Sequence, residues 1–293
     1  MKPSDFTYHA PRTLRDAIAL LSSQPNSRVL AGGQSLMPML NLRVVAPDHL
    51  IDLGKVAGLS GIREEKDSIV LGAMTRQRDI EFSPLINGKL PLLAEAITLV
   101  GHRQTRNRGT IGGSLCHLDP SAEMPTVAMA MDATLTIAGP RGERELAMQD
   151  FAVGLMTSAV AEDEILTGIR ITPWNRNHGW AFVEFSRRHG DFAIVSAAVL
   201  LELDASRRVT RFSLTLGGVA AAPMRMTAAE DLLHGTRLAQ TDIAAAAKLC
   251  SQIDALEDPQ TPSWYRQRLA ETMSARAIVL ALSRVTGVAG LQS

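Results

Sequence analysis

The spacing of hydrophobic residues changes along the chain, and each change predicts a structural element. Behind Thr13, apolar side chains recur from Leu14 to Leu21 at the three- and four-residue spacing of one helical face. Thr13 and Asp16 form a capping box, which predicts that this helix begins directly after Thr13. Short apolar blocks predict strands, and longer periodic stretches predict helices. The predicted strands lie at 28–31, 49–53, 59–63, 69–72, 133–138, 144–147 and 165–171, and the further helices at 36–43, 90–100 and 122–131.

A polar, turn-rich stretch at 172–179 separates this part of the chain from a different pattern. Three strand-like segments follow it, and three helices follow the strands. Capping residues at 227–230 and at Thr241 predict where the first two helices begin, and the third is predicted at 264–285. This order is typical of an α+β domain, here with a three-stranded antiparallel sheet and three helices. The predicted domains are 1–174, with subdomains at about 1–55 and 56–174, and 179–286.

Composition excludes several classes of partner. The 293 residues include 30 basic and 30 acidic side chains, so the formal net charge is zero. A neutral chain with only 4% aromatic residues lacks the basic face and the stacking platforms that nucleic acids require, so no nucleic-acid partner is expected. No apolar run reaches the ~18 residues of a membrane span, and the N-terminus lacks the apolar stretch of a signal peptide. The sequence therefore predicts a cytoplasmic protein without a membrane span.

The two cysteines, Cys116 and Cys250, limit the metal and redox chemistry of this chain. Two isolated thiols are too few for a disulfide framework, a zinc site or an iron–sulfur cluster. The sequence also contains no motif for an acid–base or nucleophilic triad, so neither a metal site nor a catalytic triad is expected here.

Two double glycines are the sharpest local features of the sequence. Gly32-Gly33 precedes Gln34-Ser35, and Gly112-Gly113 lies between Thr110-Ile111 and Ser114. Because glycine lacks Cβ, such a turn lets the backbone approach a ligand closely, and successive N–H groups can bind an anion such as a pyrophosphate. An ordinary tight turn is the alternative explanation. The dinucleotide-binding G-x-G-x-x-G motif and the P-loop motif are both absent, so a dinucleotide would bind in a different fold.

At these residues the sequence resembles the FAD-binding medium subunits of the molybdenum hydroxylases, the family of xanthine dehydrogenase and aerobic carbon monoxide dehydrogenase. Four motifs carry the resemblance in the family's order, and it covers nearly the whole chain. They are AGGQSLMPMLNLR at 31–43, RNRGTIGGS at 106–114, DPSAEMP at 119–125 and SRRHGDFA at 186–193. The resemblance implies a two-part FAD-binding domain of the vanillyl-alcohol-oxidase (PCMH) type, followed by a smaller C-terminal α+β domain.

The resemblance also implies which residues contact a noncovalently bound FAD. Both glycine segments hold the pyrophosphate, Glu123 binds the adenosine ribose where many relatives have Asp, and Phe192 lies near the isoalloxazine. Cys116 and His102 also have plain structural explanations, as a small buried residue and a loop histidine. The complete set of implied contacts is Val29, Leu30, Ala31, Gly32, Gly33, Gln34, Ser35, Leu36, Ala73, Gly101, His102, Thr110, Gly112, Gly113, Ser114, Cys116, Ala122, Glu123, Leu166, Asp191 and Phe192.

In this family the implied function is electron transfer. Electrons pass from [2Fe-2S] clusters on a small partner subunit through FAD to an external acceptor, while the molybdenum cofactor on a large partner subunit hydroxylates a small substrate. The implied assembly is a dimer of heterotrimers, and the wording of the first two motifs favours an N-heterocyclic substrate. Two alternatives stay open at this point. One is a free-standing FAD-dependent oxidoreductase of the same superfamily, and the other is a scaffold that has lost FAD.

Overall fold

Successive parts of the chain form a three-stranded, a five-stranded and a four-stranded sheet, with a two-stranded hairpin before the last strand of the second sheet. The structure, a computed structural model, describes residues 2–285. Thr286, the last residue of the predicted second domain, lies outside the described residues.

The first part of the chain is a small parallel sheet with two helices. Its elements are β1 (Thr7–His9), α1 (Leu14–Ser23), β2 (Ser27–Leu30), α2 (Leu36–Asn41) and β3 (His49–Asp52). The strand order is β1–β3–β2, so β3 lies between two strands that precede it in the chain. The capping box is confirmed, because the backbone N–H of Asp16 donates to Thr13 Oγ1 at 3.1 Å and the Thr13 hydroxyl donates to the Asp16 carboxylate at 2.7 Å.

The second part is an antiparallel sheet in the order β4–β5–β10–β6–β7, covered by helices. The predicted strands of this region are present, and the sheet buries apolar residues such as Leu71, Leu135 and Ile169. Its elements are β4 (Ile62–Glu65), β5 (Ser68–Gly72), α3 (Gln77–Glu81), α4 (Pro84–Lys89), α5 (Pro91–Ile97), α6 (Arg103–Arg108), α7 (Ile111–His117), α8 (Glu123–Ala130), β6 (Thr134–Gly139), β7 (Gly142–Ala147), α9 (Met148–Phe151), β8 (Ala152–Gly154), β9 (Thr157–Ser158) and β10 (Ile165–Ile171).

Several elements of this part differ from the sequence-based expectation. The arginine-rich stretch before the second double glycine was expected to be a loop, but it contains α6. This helix buries none of its residues, so it has no hydrophobic periodicity that a sequence pattern could detect. Gly112 and Gly113 were expected to form a turn, but they lie in the first turn of α7. The short elements α3, α4, α9, β8 and β9 were not predicted either.

The third part is a second antiparallel sheet with three helices. The three predicted strands and three predicted helices are present, and a two-residue edge strand adds a fourth position to the predicted three-stranded sheet. Its order is β11–β12–β13–β14. The elements are β11 (Gly179–Phe185), β12 (Val195–Leu203), β13 (Val209–Gly217), β14 (Met224–Arg225), α10 (Thr227–Leu233), α11 (Gln240–Cys250) and α12 (Ser263–Arg284).

The predicted caps of α10 and α11 are wrong. The N-cap residues are Met226 and Ala239, each one or two positions earlier than expected. The Glu230 carboxylate does not return to its own helix end; it accepts from the backbone N–H of Leu214 at 2.7 Å and pairs with Arg225. At α11 the backbone N–H of Ala239 donates to the Asp242 carboxylate at 3.0 Å. A tertiary partner therefore replaces the local cap at α10, whereas the cap of α11 is local and begins two residues earlier than expected.

The third sheet is buried on both faces, which positions it against the second part of the chain. On β12, Ala197 and Val199 pack with α10–α12, whereas Ala198 and Leu200 pack with the core of the second part. A strand covered on both sides carries apolar residues at consecutive positions, as 193–203 does. The helices of the third part thus cover one face of the sheet, and α8 covers the other.

One ion pair joins the two parts at the end of the described chain. Arg284, the last residue of α12, donates to both carboxylate oxygens of Glu95 on α5 at 2.8 Å and to the Trp180 carbonyl at 3.0 Å. Glu95 also accepts from the backbone N–H of Phe182 at 2.9 Å. This carboxylate therefore fixes α5, β11 and α12 to one another.

Candidate functional site

The first double glycine forms an open turn between β2 and α2. Gly33 has φ +75°, a left-handed conformation that favours glycine. The backbone N–H groups of Gly33, Gln34 and Ser35 donate to no other group of the described chain, and the Ser35 hydroxyl does not cap α2. The turn therefore presents successive unpaired donors at one place, as an anion requires.

The second double glycine differs, because its N–H groups already have partners. Thr110 is the N-cap of α7, and its hydroxyl accepts from Gly113 N at 3.1 Å. Gly112 N donates to the Ala73 carbonyl at 2.8 Å, and Ser114 N donates to the Thr110 carbonyl at 3.2 Å. The backbone donors of this segment therefore stabilise the start of α7, and its free polar group is the Ser114 hydroxyl.

Glycine is required where the two segments meet, because the backbones touch. A Cβ on Gly32 would lie 2.4 Å from the Arg108 carbonyl oxygen and 2.8 Å from Gly109 Cα. A Cβ on Gly113 would lie 3.4 Å from Ala31 Cβ, and one on Gly112 would lie 2.6 Å from the carbonyl oxygen of Ala73. The fold thus brings the two motifs of the sequence together.

Other predicted residues flank this contact. Ala73 N donates to the Thr167 carbonyl at 2.9 Å, which places the neighbouring Leu166 on β10 beside the start of α7. Leu30 Cδ1 lies 3.4 Å from the Cβ position of Gly33, and Val29 packs on the core beneath the turn. Leu36 begins α2 directly after the turn.

Two arginines stand beside the glycine contact, and one of them was missed by sequence reasoning. The Arg76 guanidinium donates to the Arg108 carbonyl, the same group that Gly32 approaches. Burial and the neighbouring Arg108 side chain lower the pKa of the Arg76 guanidinium, which still remains charged. Positive charge beside unpaired N–H groups favours an anionic ligand. No local signal marks Arg76, because its proximity depends on the long-range bridge between Arg76 and Thr110.

A second group of predicted residues gathers where α6 meets the loop between β11 and β12. Gly190 has φ +86°, and a Cβ there would lie 2.3 Å from Cε1 of the His102 ring, so His102 and the preceding Gly101 adjoin Asp191 and Phe192. A cavity of about 540 Å³ opens beside this loop. Its lining includes Asp191, Phe192, Arg187 and Ser121, the last of which is next to Ala122 and close to Glu123. Phe192 is 67% exposed in this cavity.

Glu123 is a buried carboxyl group at the first position of α8. Burial raises its pKa to about 8, and the nearby carboxylates of Glu184 and Asp119 act in the same direction. Burial also raises the pKa of Glu184 on β11 to about 7. Sequence reasoning missed Glu184, because a single acidic residue in a strand resembles an ordinary solvent-facing position.

Cys116 lies on α7 behind the second glycine pair, and burial raises the pKa of its thiol to about 12. Cys250 is also buried, and its thiol pKa is raised to about 11.

We expect both thiols to react with a thiolate-specific reagent at pH 8 at least tenfold more slowly than a free cysteine, because reactivity follows the thiolate fraction. Timed alkylation with mass spectrometry checks this, and denaturation should restore both rates. Rapid labelling of Cys116 in the folded protein would contradict the raised pKa of its thiol.

Within residues 2–285 no group of three or more His, Cys, Asp or Glu side chains is arranged to hold a metal ion. No helix in this range is long and apolar enough to cross a bilayer.

Comparison with known proteins identifies the family. The family model described as FAD binding domain in molybdopterin dehydrogenase matches residues 4–174, and the CO dehydrogenase flavoprotein C-terminal domain matches 180–281. The chain is 37% identical to the 6-hydroxypseudooxynicotine dehydrogenase complex subunit alpha of Paenarthrobacter nicotinovorans and 38% identical to the caffeine dehydrogenase subunit beta of Pseudomonas sp. (strain CBB1). Each alignment covers 97% of this chain and 97% of the relative.

A solved structure of a related dehydrogenase has the same fold. A chain of the carbon monoxide dehydrogenase from Hydrogenophaga pseudoflava, in the form that lacks the Mo-pyranopterin moiety of its cofactor, superimposes with a TM-score of 0.95 at 36% identity. The match covers 98% of this chain and 100% of that chain. This protein is an oxidoreductase subunit, and it belongs to the FAD-binding medium subunits of the molybdenum hydroxylases.

Proposed function

We propose that this chain holds FAD noncovalently and passes electrons from [2Fe-2S] clusters on a small partner subunit to an external acceptor. The observation that carries the proposal is the open turn at 32–35, where unpaired N–H groups directly follow Gly32, whose backbone touches the end of α6. A bound flavin supplies the capacity to take up and release electrons one or two at a time. The chain's own residues bind, orient and shield it.

The residues present fit the pyrophosphate of FAD. In this proposal the N–H groups of Gly33, Gln34 and Ser35 donate to it, and the Ser35 and Ser114 hydroxyls add donors. Thr110, Gly112 and Gly113 contribute by holding α7 against Ala31 and Ala73 rather than by direct backbone donation. Arg76 and Arg108 supply charge complementary to the two phosphates.

The candidate residues for the two remaining parts of FAD lie near each other, because Ser121 lines the cavity two residues before Glu123. Glu123, with Ala122 before it, offers a carboxyl group of the kind that binds ribose hydroxyls. The cavity beside Asp191 and Phe192 offers an aromatic side chain and space for a planar ring system. The carboxyl group of Glu123 matches the chemistry of a ribose, and the aromatic ring of Phe192 matches that of the isoalloxazine.

Partner chains complete the proposal. Relatives are named as subunits of multi-subunit dehydrogenases, including one named for caffeine and one for 6-hydroxypseudooxynicotine. By that likeness we assign the molybdenum cofactor to a large subunit and the [2Fe-2S] clusters to a small one, in a dimer of heterotrimers. The proposed substrate of the complex is a small N-heterocyclic compound, and the proposed location is the cytoplasm.

Purification of the native complex tests this proposal. We expect a yellow protein whose flavin is released intact as FAD on denaturation, together with co-purifying chains that contain iron–sulfur clusters and molybdenum. Reduction of the complex with its substrate should bleach the flavin absorbance. A colourless chain that cannot be reconstituted with FAD would overturn the proposal. Full substrate oxidation by the isolated chain would instead support a free-standing oxidoreductase.

A further inference from the structure

A cluster of buried polar groups lies where α8 packs against the third sheet. The position of a Cβ on Gly217 would be 2.3 Å from Thr126 Oγ1 and 2.5 Å from Ser196 Oγ, so α8, β12 and β13 meet at this glycine. Gly218 N donates to the Pro120 carbonyl at 2.7 Å, which fixes the segment before α8 at the same edge of the sheet. Glu123 precedes Thr126 by three residues, and side chains three apart share one side of a helix.

Glu184 belongs to this cluster by register. It pairs with Ser196, and Ser196 pairs with Gly217, so the three residues form a row across β11, β12 and β13. Side chains of directly paired residues project from the same face of a sheet. Ser196 faces Thr126 on α8, and Glu184 therefore faces the same helix. Glu184 Oε2 and Ser196 Oγ are both buried, and neither has a hydrogen-bond partner in the described chain.

The surroundings provide little compensating charge. Glu123 and Glu184 form no ion pair with any Lys, Arg or His among residues 2–285. Asp119 adds further negative charge near Glu123, and Arg106 is the one cation that acts on it. The Arg106 guanidinium is already engaged by Glu81 at 2.9 Å.

Two other charged groups on the elements packed around the cluster have partners elsewhere, while His117 on α7 and Asp150 on α9 are further titratable groups on neighbouring elements. Glu95 on α5 is paired with Arg284, and Arg225 on β14 is paired with Asp132 and Glu230. Two buried carboxyl groups close together without a cation cannot both ionise readily at neutral pH. The pair therefore retains a proton in the absence of a ligand.

We propose that Glu184 helps to keep Glu123 protonated, and that the pair releases one proton to solvent when FAD binds. In this step the O–H bond of the Glu123 carboxyl group breaks, and the resulting carboxylate accepts hydrogen bonds from ribose hydroxyls. Glu184 holds no ligand itself and acts through Glu123 as a positioning residue. The inference rests on the proposed FAD site and adds to it a second carboxyl group and a dependence on pH.

The sign of the pH dependence follows from linkage. Because FAD binding releases a proton, raising the pH favours the complex, by up to about tenfold in affinity per pH unit. Glu123 and Glu184 have pKa values of about 8 and about 7, so the gain levels off above about pH 8. Below that range the affinity falls as both carboxyl groups become protonated.

The test is titration of the FAD-free full-length chain with FAD across this pH range. Calorimetry in two buffers with different ionisation enthalpies counts the protons released per FAD bound. We expect release approaching one proton near neutral pH in the wild type. In Glu184→Gln the repulsion from Glu184 is lost while the burial of Glu123 remains, so the pKa of Glu123 falls, release near neutral pH should be smaller than in the wild type, and the pH slope should shift to lower pH. Glu162→Gln, an exposed carboxylate on the loop after β9, is the matched control and should behave as wild type.

The outcomes separate this inference from the proposed function. A wild-type chain that binds no FAD at any pH would overturn the proposed function. FAD binding without proton release, or with an unchanged pH slope in Glu184→Gln, would overturn the carboxyl pair and leave the FAD site in place. If Glu184→Gln does not fold, the proton count of the wild type still tests the inference, and FAD binding without proton release would overturn it.

Discussion

Replacing Gly32 with valine is expected to abolish FAD binding. A Cβ at this position would lie 2.4 Å from the Arg108 carbonyl oxygen and 2.8 Å from Gly109 Cα, and both neighbours are backbone atoms that no side-chain rotation can move. The first glycine turn would then separate from the segment leading into α7. Flavin content after purification, measured by visible absorbance and by release of FAD on denaturation, checks the result.

Gly88→Val provides the matched control for this substitution. Gly88 lies in α4, and a Cβ there would meet no atom within 4 Å. The control variant should retain the flavin content of the wild type, since it receives the same side chain without a clash. Circular dichroism of both variants distinguishes loss of the site from loss of the fold. A Gly32→Val protein with full flavin content would show that the two segments need not touch.

Replacing Arg266 with methionine is expected to cause a large loss of stability. Arg266 lies in α12 and is 8% exposed, and its guanidinium donates to the carbonyls of Ile194 and Gly218 at 2.5 and 2.7 Å and to Asp258 at 2.7 Å. Methionine fills similar space but leaves these acceptors without their donor, which costs about 3 kcal/mol. For a chain of this size we expect a melting temperature lower by about 6 °C.

Arg276→Met, in the same helix, is the control for that loss. Its side chain is exposed and forms no hydrogen bond or ion pair within the described chain, so the change in melting temperature should be small. Thermal unfolding followed by circular dichroism compares the two variants under identical conditions. Because Ile194 and Arg266 itself line the cavity beside Phe192, weaker FAD retention should accompany the Arg266 loss. Equal melting temperatures for the two variants would refute the structural role of Arg266.

Local signals in the sequence predicted the elements that depend on local physics. The capping box at Thr13 needs only its own four residues, and the long strands β12 and β13 are apolar enough to be recognised alone. The strand order β1–β3–β2 could not be predicted from the sequence, because it depends on pairing between distant segments. The same holds for the cap of α10, where Glu230 has a tertiary partner in Leu214.

In the candidate site, too, local features could be predicted from the sequence and long-range contacts could not. Both double glycines look alike in sequence, yet Gly33 occupies an open left-handed turn while Gly112 and Gly113 lie inside a helix. The difference arises from the bridge between Arg76 and Thr110, which positions Thr110 to cap α7. Glu184 could not be singled out either, because its burial depends on α8, a helix from a different part of the chain.

The ion pair between Glu95 and Arg284 has a consequence for the order of synthesis. Domains generally fold from the N-terminus as the ribosome extends the chain. Glu95 is made early, but its partner Arg284 lies 189 residues later in the chain, at the end of α12. A nascent chain therefore carries an unpaired carboxylate on α5 and an uncovered apolar face on the third sheet until α12 is released. Chains truncated before this helix lack that closure, and we expect proteases to degrade them faster than chains that contain it.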